Sequence, residues 1–600
     1  MPHVFSDTRK LFTRQKVKSA FIIIRMFGFI PLFKGIIYEI KLMLFQNYSR
    51  WIRQSENSHI NRHDTELPYM PKITIVTAVF NPPLNILRDT MESVLSQTYA
   101  NWEFCIADGK SNEGIRGLLE EYARKDQRIK IVFLDENKGI AGNFNEGIRP
   151  ATGEYISFLD HDDMLSPNAL FEIAKRINEE KEIDILYSDE DLVDASGVRT
   201  NPEFKADWSP DLLRSYNYMT HFFVIRKILL DEIGGYREGF DGAQDYDLIL
   251  RAAEKTKNIA HIPKILYHWR HSPGSVLADA DNKPQANENG RRAVEEHLER
   301  MQLKGRITYA RNLYSYRAIY EIEGVPKVSI IIPNTDHRKE LARCIASVLS
   351  KSTYRNYEIL IAENNSSGKE IFDYYKELSG NEKIRILTWK KPFNYSAINN
   401  FCVQHASGEF LLFLNNDTQV ISPDWIEQML MHCRRKDVGA VGAKLYYPDD
   451  TIQHAGVIIL KGGMPVHAFR HFHRRQAGYM ARLNLIQNYS AVTAACMMCR
   501  KSVFEEAGEF AEEFAFAYND TDFCFKIRDK GYLVVWTPYA ELYHYESKTR
   551  GYDTTRRKKE IFNKEYALFK ERGRKAIEKG DPYYNPNLTQ KRPDFSLSIK

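Results

Sequence analysis

The ten residues Glu154-Tyr-Ile-Ser-Phe-Leu-Asp-His-Asp-Asp163 decide the fold of this chain. They run from β-favouring residues into three carboxylates, Asp160, Asp162 and Asp163, within four positions. The apolar part predicts a buried strand, because short β-rich runs between polar residues are typical of sheet interiors. Carboxylates at the end of such a strand are costly unless they are paired or bind a cation, and Mg²⁺ or Mn²⁺ prefers oxygen ligands. A single stretch of this kind also fits a loop or a helix start.

The chain contains the stretch twice. Ala151-Thr-Gly-Glu-Tyr-Ile-Ser-Phe-Leu-Asp-His-Asp162 is matched 255 residues later by Ala406-Ser-Gly-Glu-Phe-Leu-Leu-Phe-Leu-Asn-Asn-Asp417. Asn101-Trp-Glu-Phe-Cys-Ile-Ala-Asp108 is matched at the same offset by Asn356-Tyr-Glu-Ile-Leu-Ile-Ala-Glu363. Each copy is long enough to have its own core, so the repeat predicts a duplicated domain and not a solenoid. Both copies keep the last acid of the triplet, which indicates a site.

The first copy alternates strand and helix patterns. Strands are predicted at Ile73–Val79, Trp102–Ala107, Ile129–Phe133 and Tyr155–Leu159, with helices at Leu87–Leu95 and Arg116–Arg128. This alternation predicts an α/β fold with a mostly parallel sheet. Ligands bind such sheets at the carboxyl ends of the strands. Asp108, Asp160 and Asp162 fall at those ends, so one crevice is expected to hold all three.

Length and patterning divide the chain into four parts. Six hundred residues exceed one hydrophobic core. We expect a basic amphipathic N-terminal arm and linker at 1–67, a first domain at 68–315, a second at 322–550 and a basic C-terminal tail at 551–600. The seven cysteines show no framework spacing, which favours a reducing, cytoplasmic compartment.

Charge is concentrated at the two ends. Residues 1–53 carry ten Lys/Arg against two Asp/Glu, and residues 550–600 carry fourteen against seven, so the body between them has a net charge of −10. A nucleic-acid partner is not expected, because it requires a basic stripe on the folded core. Basic ends favour peripheral contact with an anionic membrane surface. A docking helix packed on the protein's own body is the alternative for the arm.

Both copies resemble family 2 glycosyltransferases of the GT-A fold. The first does so through Asp108, the 158–163 stretch, Gln244-Asp-Tyr-Asp-Leu248 and Tyr267-His-Trp269. The second is similar to bacterial rhamnosyltransferase-like members, and the runs that carry this similarity are Leu414-Asn-Asn-Asp-Thr418, Val438-Gly-Ala-Val-Gly-Ala443, Ile452-Gln-His-Ala-Gly456 and Asn519-Asp-Thr-Asp-Phe-Cys524. The resemblance implies two tandem nucleotide-diphospho-sugar transferase domains, each with a Rossmann-like mixed sheet.

The resemblance also implies roles for single residues. Asp245 and Asp520 match the family's catalytic base. The positions implied for nucleotide-sugar binding are Asp108, Asp160, Glu363 and Asn415. The positions implied for a divalent metal, Mg²⁺ or Mn²⁺, are Asp162, Asp417, His268 and His544. A structural role for each histidine is the alternative.

The two copies differ from each other at the site. Asn415 replaces the first acid of the triplet, and Glu363 is one methylene longer than Asp108. We therefore expect different donors for the two domains. His467-Ala-Phe-Arg-His-Phe-His-Arg-Arg475 predicts a basic loop near an acceptor entrance, with a zinc site as the less favoured interpretation.

Together these patterns lead to one functional hypothesis. The chain is expected to be a bifunctional, metal-dependent, inverting glycosyltransferase at the inner face of the bacterial plasma membrane. It would transfer sugars from nucleotide-sugar donors, with dTDP-rhamnose as the candidate for one of them, to a lipid-linked glycan for a surface polysaccharide. Alternatives are a single catalytic domain whose partner domain binds acceptor, or a non-catalytic carbohydrate-binding scaffold.

Overall fold

The structure is a computed structural model that describes residues 48–55, 67–194, 196–270, 284–546 and 556–598. The chain forms two compact units, one of residues 66–586 with 593–595, the other of residues 1–65 with 587–592 and 596–600. Most of the predicted N-terminal arm lies outside the described residues. Its described part is helix α1 (Tyr48–Ser55). No helix within the described ranges is long and apolar enough to cross a membrane.

The larger unit contains two mixed sheets. Among the described residues the strands of the first sheet are β1 (Ile73–Val79), β2 (Trp102–Asp108), β3 (Ile129–Phe133), β4 (Tyr155–Phe158), β5 (Met164–Leu165), β6 (Ile185–Val193), β7 (Arg199–Glu203), β8 (Phe223–Arg226) and β9 (Ile259–Arg270). Their spatial order is β3-β2-β1-β4-β8-β6-β9-β5, and β7 pairs with β6. β1 to β4 are parallel, whereas β8 is antiparallel to β4.

The hairpin β10 (Gly305–Tyr309) and β11 (Tyr316–Tyr320) follows the first domain. The remaining described strands are β12 (Val328–Asn334), β13 (Tyr357–Asn364), β14 (Ile384–Trp389), β15 (Phe410–Leu414), β16 (Thr418–Val420), β17 (Val438–Tyr446), β18 (Ile452–His454), β19 (Val457–Leu460), β20 (Met464–His467), β21 (Gln487–Asn488), β22 (Cys496–Arg500) and β23 (Leu533–His544). The second sheet has the order β14-β13-β12-β15-β22-β17-β23-β16. Each strand of this path has a counterpart in the first sheet, so the predicted α/β fold with two tandem domains is confirmed.

The helices cover both sheets. Those described are α2 (Leu84–Leu95), α3 (Glu113–Lys125), α4 (Gly139–Ile148), α5 (Ala169–Glu179), α6 (Pro210–Leu213), α7 (Lys227–Ile233), α8 (Gln244–Ala253), α9 (Pro284–Arg300), α10 (Arg338–Lys351), α11 (Lys369–Leu378), α12 (Tyr395–His405), α13 (Trp425–Cys433), α14 (Lys501–Glu506), α15 (Asn519–Asp529), α16 (Arg556–Arg572) and α17 (Arg574–Lys579), with a 3₁₀ segment at Tyr479–Asn484. α3 begins after Asn112, whose side chain caps the Ile115 N–H. It ends three residues before the predicted Arg128, because Asp126 is extended and binds the Arg128 guanidinium.

The segments around the two domains pack against them. Residues of the β10–β11 hairpin join the apolar core of the first domain, so the hairpin extends past the predicted boundary at 315. In the C-terminal segment, Phe569 of α16 is buried and stacks on Tyr518 of the second domain. The Asn585 side chain donates to Asp189 of β6. The described C-terminal residues up to 586 are therefore part of the folded body.

Candidate functional site

The carboxyl edge of each sheet holds a buried acid in the same local geometry. The register places Asp108 opposite Val79 and Glu363 opposite Asn334. Asp108 is fully buried and accepts a hydrogen bond from the Ser111 N–H at 3.2 Å. Glu363 accepts from the Ser366 N–H at 2.6 Å. Both carboxylates are therefore fixed by the turn that follows their strand, where the parallel strands open toward a ligand.

The acidic stretch after β4 divides into two kinds of carboxylate. Asp163 is 1% exposed and belongs to the core, where it accepts from the Tyr267 hydroxyl at 2.5 Å and the Arg270 N–H at 2.7 Å. Burial raises the pKa of Asp163 well above its usual range. Asp160 faces a recess, where crowding by protein atoms and the nearby Asp162 raise its pKa. Asp163 thus anchors the stretch, whereas Asp160 lines the recess.

The recess beside Asp160 also contains Asp245. It is a cavity of about 50 Å³ whose lining includes both carboxylates, His221 and Tyr267. Asn217 donates to Oδ2 of Asp245 at 3.1 Å, and the Tyr246 N–H donates to Oδ1 at 2.8 Å. Burial raises the pKa of Asp245. A raised pKa brings a carboxylate closer to the proton affinity that a general base needs.

His221 is a site residue that the sequence did not reveal. Its Nδ1 lies 2.9 Å from Glu190 on β6, and its ring stacks on Tyr267. Burial opposes ionisation, but Glu190 raises the pKa of His221 to about 9. β8 is antiparallel to β4, which brings His221 to the recess although it is 58 residues from Asp163 in the chain. His221 thus lines the same recess as Asp160 and Asp245, and Glu190 favours its protonated form there.

The second domain brings its triplet residues together with His544. Asp417 is 2% exposed, and its Oδ1 lies 3.2 Å from Nε2 of His544. The Asn415 side-chain amide lies 3.3 Å from the same nitrogen. Strand pairing explains this contact, because Thr418 of β16 is opposite His544 of β23. The structure thus places Asn415, Asp417 and His544 in one cluster.

Asp520 lies next to this cluster at the start of α15. Its Oδ2 accepts from the Ala494 N–H at 3.1 Å, and the following residue, Ala495, accepts from the Asn415 N–H at 3.0 Å. The loop before Asp520 is held by the C-terminal segment, because Glu565 of α16 accepts from the backbone N–H groups of residues 515–517. No sequence pattern pointed to this contact.

A histidine pair completes the second site. The Nδ1 atoms of His454 and His467 lie 2.8 Å apart. Burial lowers the pKa of His454 well below its usual range and the pKa of His467 to about 4. His454 adjoins the Asp520 side of the site, because its Nε2 lies 3.5 Å from the Thr493 N–H and the next residue, Ala494, donates to Asp520. The Ile452–Gly456 run that carried the resemblance contributes His454.

The donor sets for a divalent ion differ between the domains. Nδ1 of the buried His544 has no hydrogen-bond partner among the described residues. One carboxylate and one imidazole with substrate phosphates fit Mg²⁺ or Mn²⁺, so Asp417 and His544 fit the implied metal. His268 is placed differently, because its Nδ1 lies 2.6 Å from Asp191 and its Nε2 lies 2.9 Å from Ser166. Both nitrogens of His268 are therefore engaged by protein groups, and of the two positions implied for a metal in the first domain Asp162 stays a prediction.

Within the described ranges, no group of three or more His, Cys, Asp or Glu side chains is already gathered to hold a metal. Completion of such a shell would fall to the substrate diphosphate.

Two mixed sheets with this strand order and these acidic edges are GT-A domains. The family model described as "Glycosyl transferase family 2" matches residues 74–234 and 329–508, more than half of the chain. The chain belongs to this family. The two matched regions begin in β1 and β12 and cover the strands of each sheet up to β8 and β22, so the resemblance inferred from the repeated stretches is confirmed.

Similar proteins cover both domains together. An uncharacterized protein, y4gI of Sinorhizobium fredii, is 44% identical over 88% of this chain and 59% of its own length. The O-antigen biosynthesis protein RfbC of Myxococcus xanthus is 38% identical over 92% of this chain and 43% of its own length. The chain thus spans about half the length of these curated relatives. A crystal structure of S. aureus TarS 1-349 in complex with UDP-GlcNAc is 19% identical, covers 38% of this chain and 66% of that chain, and has a TM-score of 0.33.

Proposed function

We propose that this chain is a bifunctional inverting glycosyltransferase that builds a bacterial surface polysaccharide. One observation carries the proposal. In the first sheet, Asp162 follows β4 and Asp245 lies at the start of α8. In the second sheet, Asp417 follows β15 and Asp520 lies at the start of α15. A carbohydrate-binding scaffold has no need of this duplicated pair. The RfbC relative, an O-antigen biosynthesis protein by name, supports the polysaccharide role.

The residues of the first domain have distinct tasks in this proposal. Asp108 would accept hydrogen bonds from the nucleotide, and Asp160 would contact the donor sugar or diphosphate. Asp245 would take the proton from the acceptor hydroxyl as that oxygen attacks the anomeric carbon, and one displacement inverts this carbon. A divalent ion at Asp162 would supply Lewis-acid stabilisation of the leaving diphosphate. His221 would add a fixed positive charge beside it.

The second domain would carry out the same displacement with a different donor. Glu363 and Asn415 would bind the nucleotide sugar, for which dTDP-rhamnose is the proposed candidate, and Asp520 would act as base. Asp417 and His544 would hold the ion. Asn415 in place of an acid reduces the negative charge at this site, which changes the preference among donors.

The proposed acceptor is a lipid-linked glycan at the cytoplasmic face of the membrane. The basic composition of residues 1–53 and 550–600 supports peripheral contact with an anionic surface. Removal of residues 1–53 is therefore expected to release the protein from anionic vesicles. Unchanged sedimentation with the vesicles would contradict the membrane contact and leave the transferase proposal intact.

Replacement of each carboxylate by an uncharged amide of the same size separates the two activities. Asp162→Asn, Asp417→Asn and the double variant would be incubated with a panel of nucleotide sugars, Mn²⁺ and a lipid-linked glycan extract. We expect each single variant to lose transfer of a different sugar, and the double variant to lose both. The product anomers, determined by NMR, should be inverted relative to the donors.

Other outcomes would select the alternatives. Loss of the same single sugar in both variants would indicate one catalytic domain with a second domain that binds acceptor. Transfer that survives the double replacement would reject the proposed sites. Folding is checked for every variant by its thermal unfolding midpoint.

A further inference from the structure

A second cavity lies at the junction of the two domains, and its lining contains none of the ten predicted site residues. Its volume is about 380 Å³, and it is bounded by the β10–β11 hairpin, the end of β17, the middle of β23, the loop that contains Arg474 and Arg475, and the segment before β21. This volume is within the range of small-ligand pockets. Its lining residues are Tyr309, Ala310, Arg311, Arg317, Lys444, Tyr446, Arg474, Arg475, Leu483, Asn484, Pro538, Tyr539 and Glu541.

The lining is strongly basic. It contains four arginines and Lys444 against a single carboxylate, that of Glu541. That carboxylate is already used, because it accepts a hydrogen bond from Tyr446 and lies 3.6 Å from Arg474. Arg474 is also paired with Asp450, at 2.9 Å. The lining nevertheless carries an excess of positive charge over its one carboxylate, and this excess favours an anionic ligand.

Lys444 is the most deeply placed of these cations. It is 4% exposed and donates to the Leu483 carbonyl at 2.9 Å. An ammonium group has three donors, so two remain for a ligand. Burial, together with Arg474 and Arg311, lowers the pKa of Lys444 to about 8 against the opposing effect of Glu541. An anion at this position would offset that cost.

Two arginines of the lining differ in how firmly they are held. Arg317 is held in place, since its guanidinium lies 3.6 Å from the centre of the Tyr539 ring and donates to Gln428 at 2.8 Å. Its buried Nε has no partner among the described residues. Arg311 is exposed and forms no ion pair within the described ranges. The cavity thus presents fixed and adjustable cations together, with Tyr309 at its rim.

We propose that this junction cavity binds the phosphate or diphosphate group of a glycan or lipid, and so holds an anionic molecule apart from the two donor sites. Guanidinium and ammonium groups are the usual ligands of phosphate. The exposed tyrosine ring at the rim suits a sugar face next to the phosphate. Because both domains line the cavity, a bound ligand would contact both. The inference does not rest on the proposed transferase activity.

Calorimetric titration of the full chain tests the site without any donor. Inorganic pyrophosphate and glucose 1-phosphate are titrated in EDTA into the wild type and into the Asp162→Asn/Asp417→Asn double variant, whose donor sites are disabled. We expect equal binding by both proteins. Lys444→Met should weaken it by about tenfold or more, since one charge-assisted contact is lost. Arg311→Gln, on the surface, should weaken it several-fold.

Lys376→Met is the matched control, because Lys376 is an exposed lysine on α11 of the same domain. Its affinity should equal that of the wild type. Binding to vesicles of phosphatidylglycerol is measured in parallel. Vesicle binding that depends on Lys444 identifies a lipid headgroup as the anion. Tighter binding of glucose 1-phosphate than of the vesicles identifies a glycan phosphate. The proposal is wrong if Arg311→Gln and Lys444→Met, both folded by their unfolding midpoints, bind pyrophosphate as the control does, or if the wild type binds none.

Discussion

At the scale of single residues, Asp245 and Asp247 show how two acids in one helical turn acquire different roles. Asp245 lines the first-domain recess and accepts from Asn217. Asp247 is fully buried and accepts from the guanidinium groups of Arg237 and Arg251. The helix period turns the two side chains in different directions. Only one of them can take a proton from a substrate.

This difference predicts separable effects of two conservative replacements. Asp245→Asn should lower the rate of sugar transfer by the first domain by about 10²- to 10⁴-fold, because an amide is no base. Its unfolding midpoint should stay near that of the wild type. Asp247→Asn should lower the midpoint, because the buried Arg251 loses its counter-ion and the half-buried Arg237 keeps only Glu296. Transfer rates and thermal unfolding are measured on both variants.

The second domain supplies a control for this experiment. Asp520 accepts from Ala494 at the corresponding position, so transfer by the second domain should be unaffected in Asp245→Asn. Equal loss of both activities in Asp245→Asn would contradict separate catalytic bases. An Asp245→Asn variant with full first-domain activity would remove Asp245 from the mechanism.

At the scale of elements, a glycine before β4 and its counterpart before β15 fix how each central strand starts. The Gly153 N–H donates to Oγ1 of Thr74, and the Gly408 N–H donates to Oγ of Ser329, at 3.0 and 2.9 Å. A Cβ on Gly153 would lie 2.5 Å from Thr74 Oγ1, and one on Gly408 would lie 2.7 Å from Ser329 Oγ. The close approach of two backbones therefore requires glycine at both positions.

Gly153→Ala should destabilise the first domain by roughly 1–3 kcal/mol, since the added methyl group displaces β1 from the turn. Gly117→Ala is the matched control. Gly117 lies within α3, and a Cβ there meets nothing within 4 Å. This change should be neutral or stabilise the helix by about 0.5–1 kcal/mol. Both variants are unfolded with denaturant. Equal midpoints for Gly153→Ala and Gly117→Ala would show that the close approach at Gly153 does not require glycine.

The same elements show what the sequence was able to predict. The strands, the duplicated sheet and the positions of Asp108 and Glu363 followed from local patterns, because a strand's carboxyl end is set by the strand itself. The contacts of His221 and Asn217 did not, because β8 and the loop before it approach the recess only through antiparallel pairing. The roles proposed for the ten predicted site residues remain predictions.

The contribution of α16 was equally hidden. Glu565 holds the loop before Asp520, but the distance between these residues along the chain gives no local pattern. The basic composition of residues 550–600 predicted a tail at the membrane surface. The structure shows that Phe569 of this segment is fully buried against the second domain. The contact of its basic residues with a membrane stays a prediction.

At the scale of the whole molecule, the two GT-A domains are joined by a buried polar contact. Asp211 of α6 binds the guanidinium of Arg435 and accepts from the Asn488 amide at 2.8 Å. Asp211 is 2% exposed. Burial opposes ionisation, but Arg435 lowers the pKa of this carboxyl far below its usual range. The contact fixes how the two domains are oriented.

Arg435→Met should therefore destabilise the chain by about 3–5 kcal/mol, because it leaves a buried carboxylate without its main partner. The double variant Arg435→Met/Asp211→Asn should recover part of the loss, since an amide tolerates burial better than a charge. Unfolding by urea is the measurement. If the loss of stability in the double variant equals the sum of the losses in Arg435→Met and in Asp211→Asn, the two residues are not coupled.

The same junction contains a buried histidine that makes stability depend on pH. His432 of α13 is fully buried, packs edge-on against Tyr320 of the linking hairpin, and both its ring nitrogens lack partners among the described residues. Burial lowers the pKa of His432 from 6.5 to about 3, with nearby Arg435 and Arg317 in support and Asp211 opposed. The folded protein therefore keeps this ring neutral where the unfolded chain protonates it.

The sign of the effect follows from proton binding. Between about pH 6.5 and pH 3 the unfolded chain binds a proton at His432 and the folded chain does not, so acid favours unfolding by about 1.4 kcal/mol per pH unit in this window. His432→Phe should abolish this contribution while it keeps the contact with Tyr320. The difference in free energy of unfolding, His432→Phe minus wild type, should increase steadily as the pH is lowered below 6. Above pH 7 this difference should be constant. A difference that does not change with pH would show that His432 ionises normally in the folded protein.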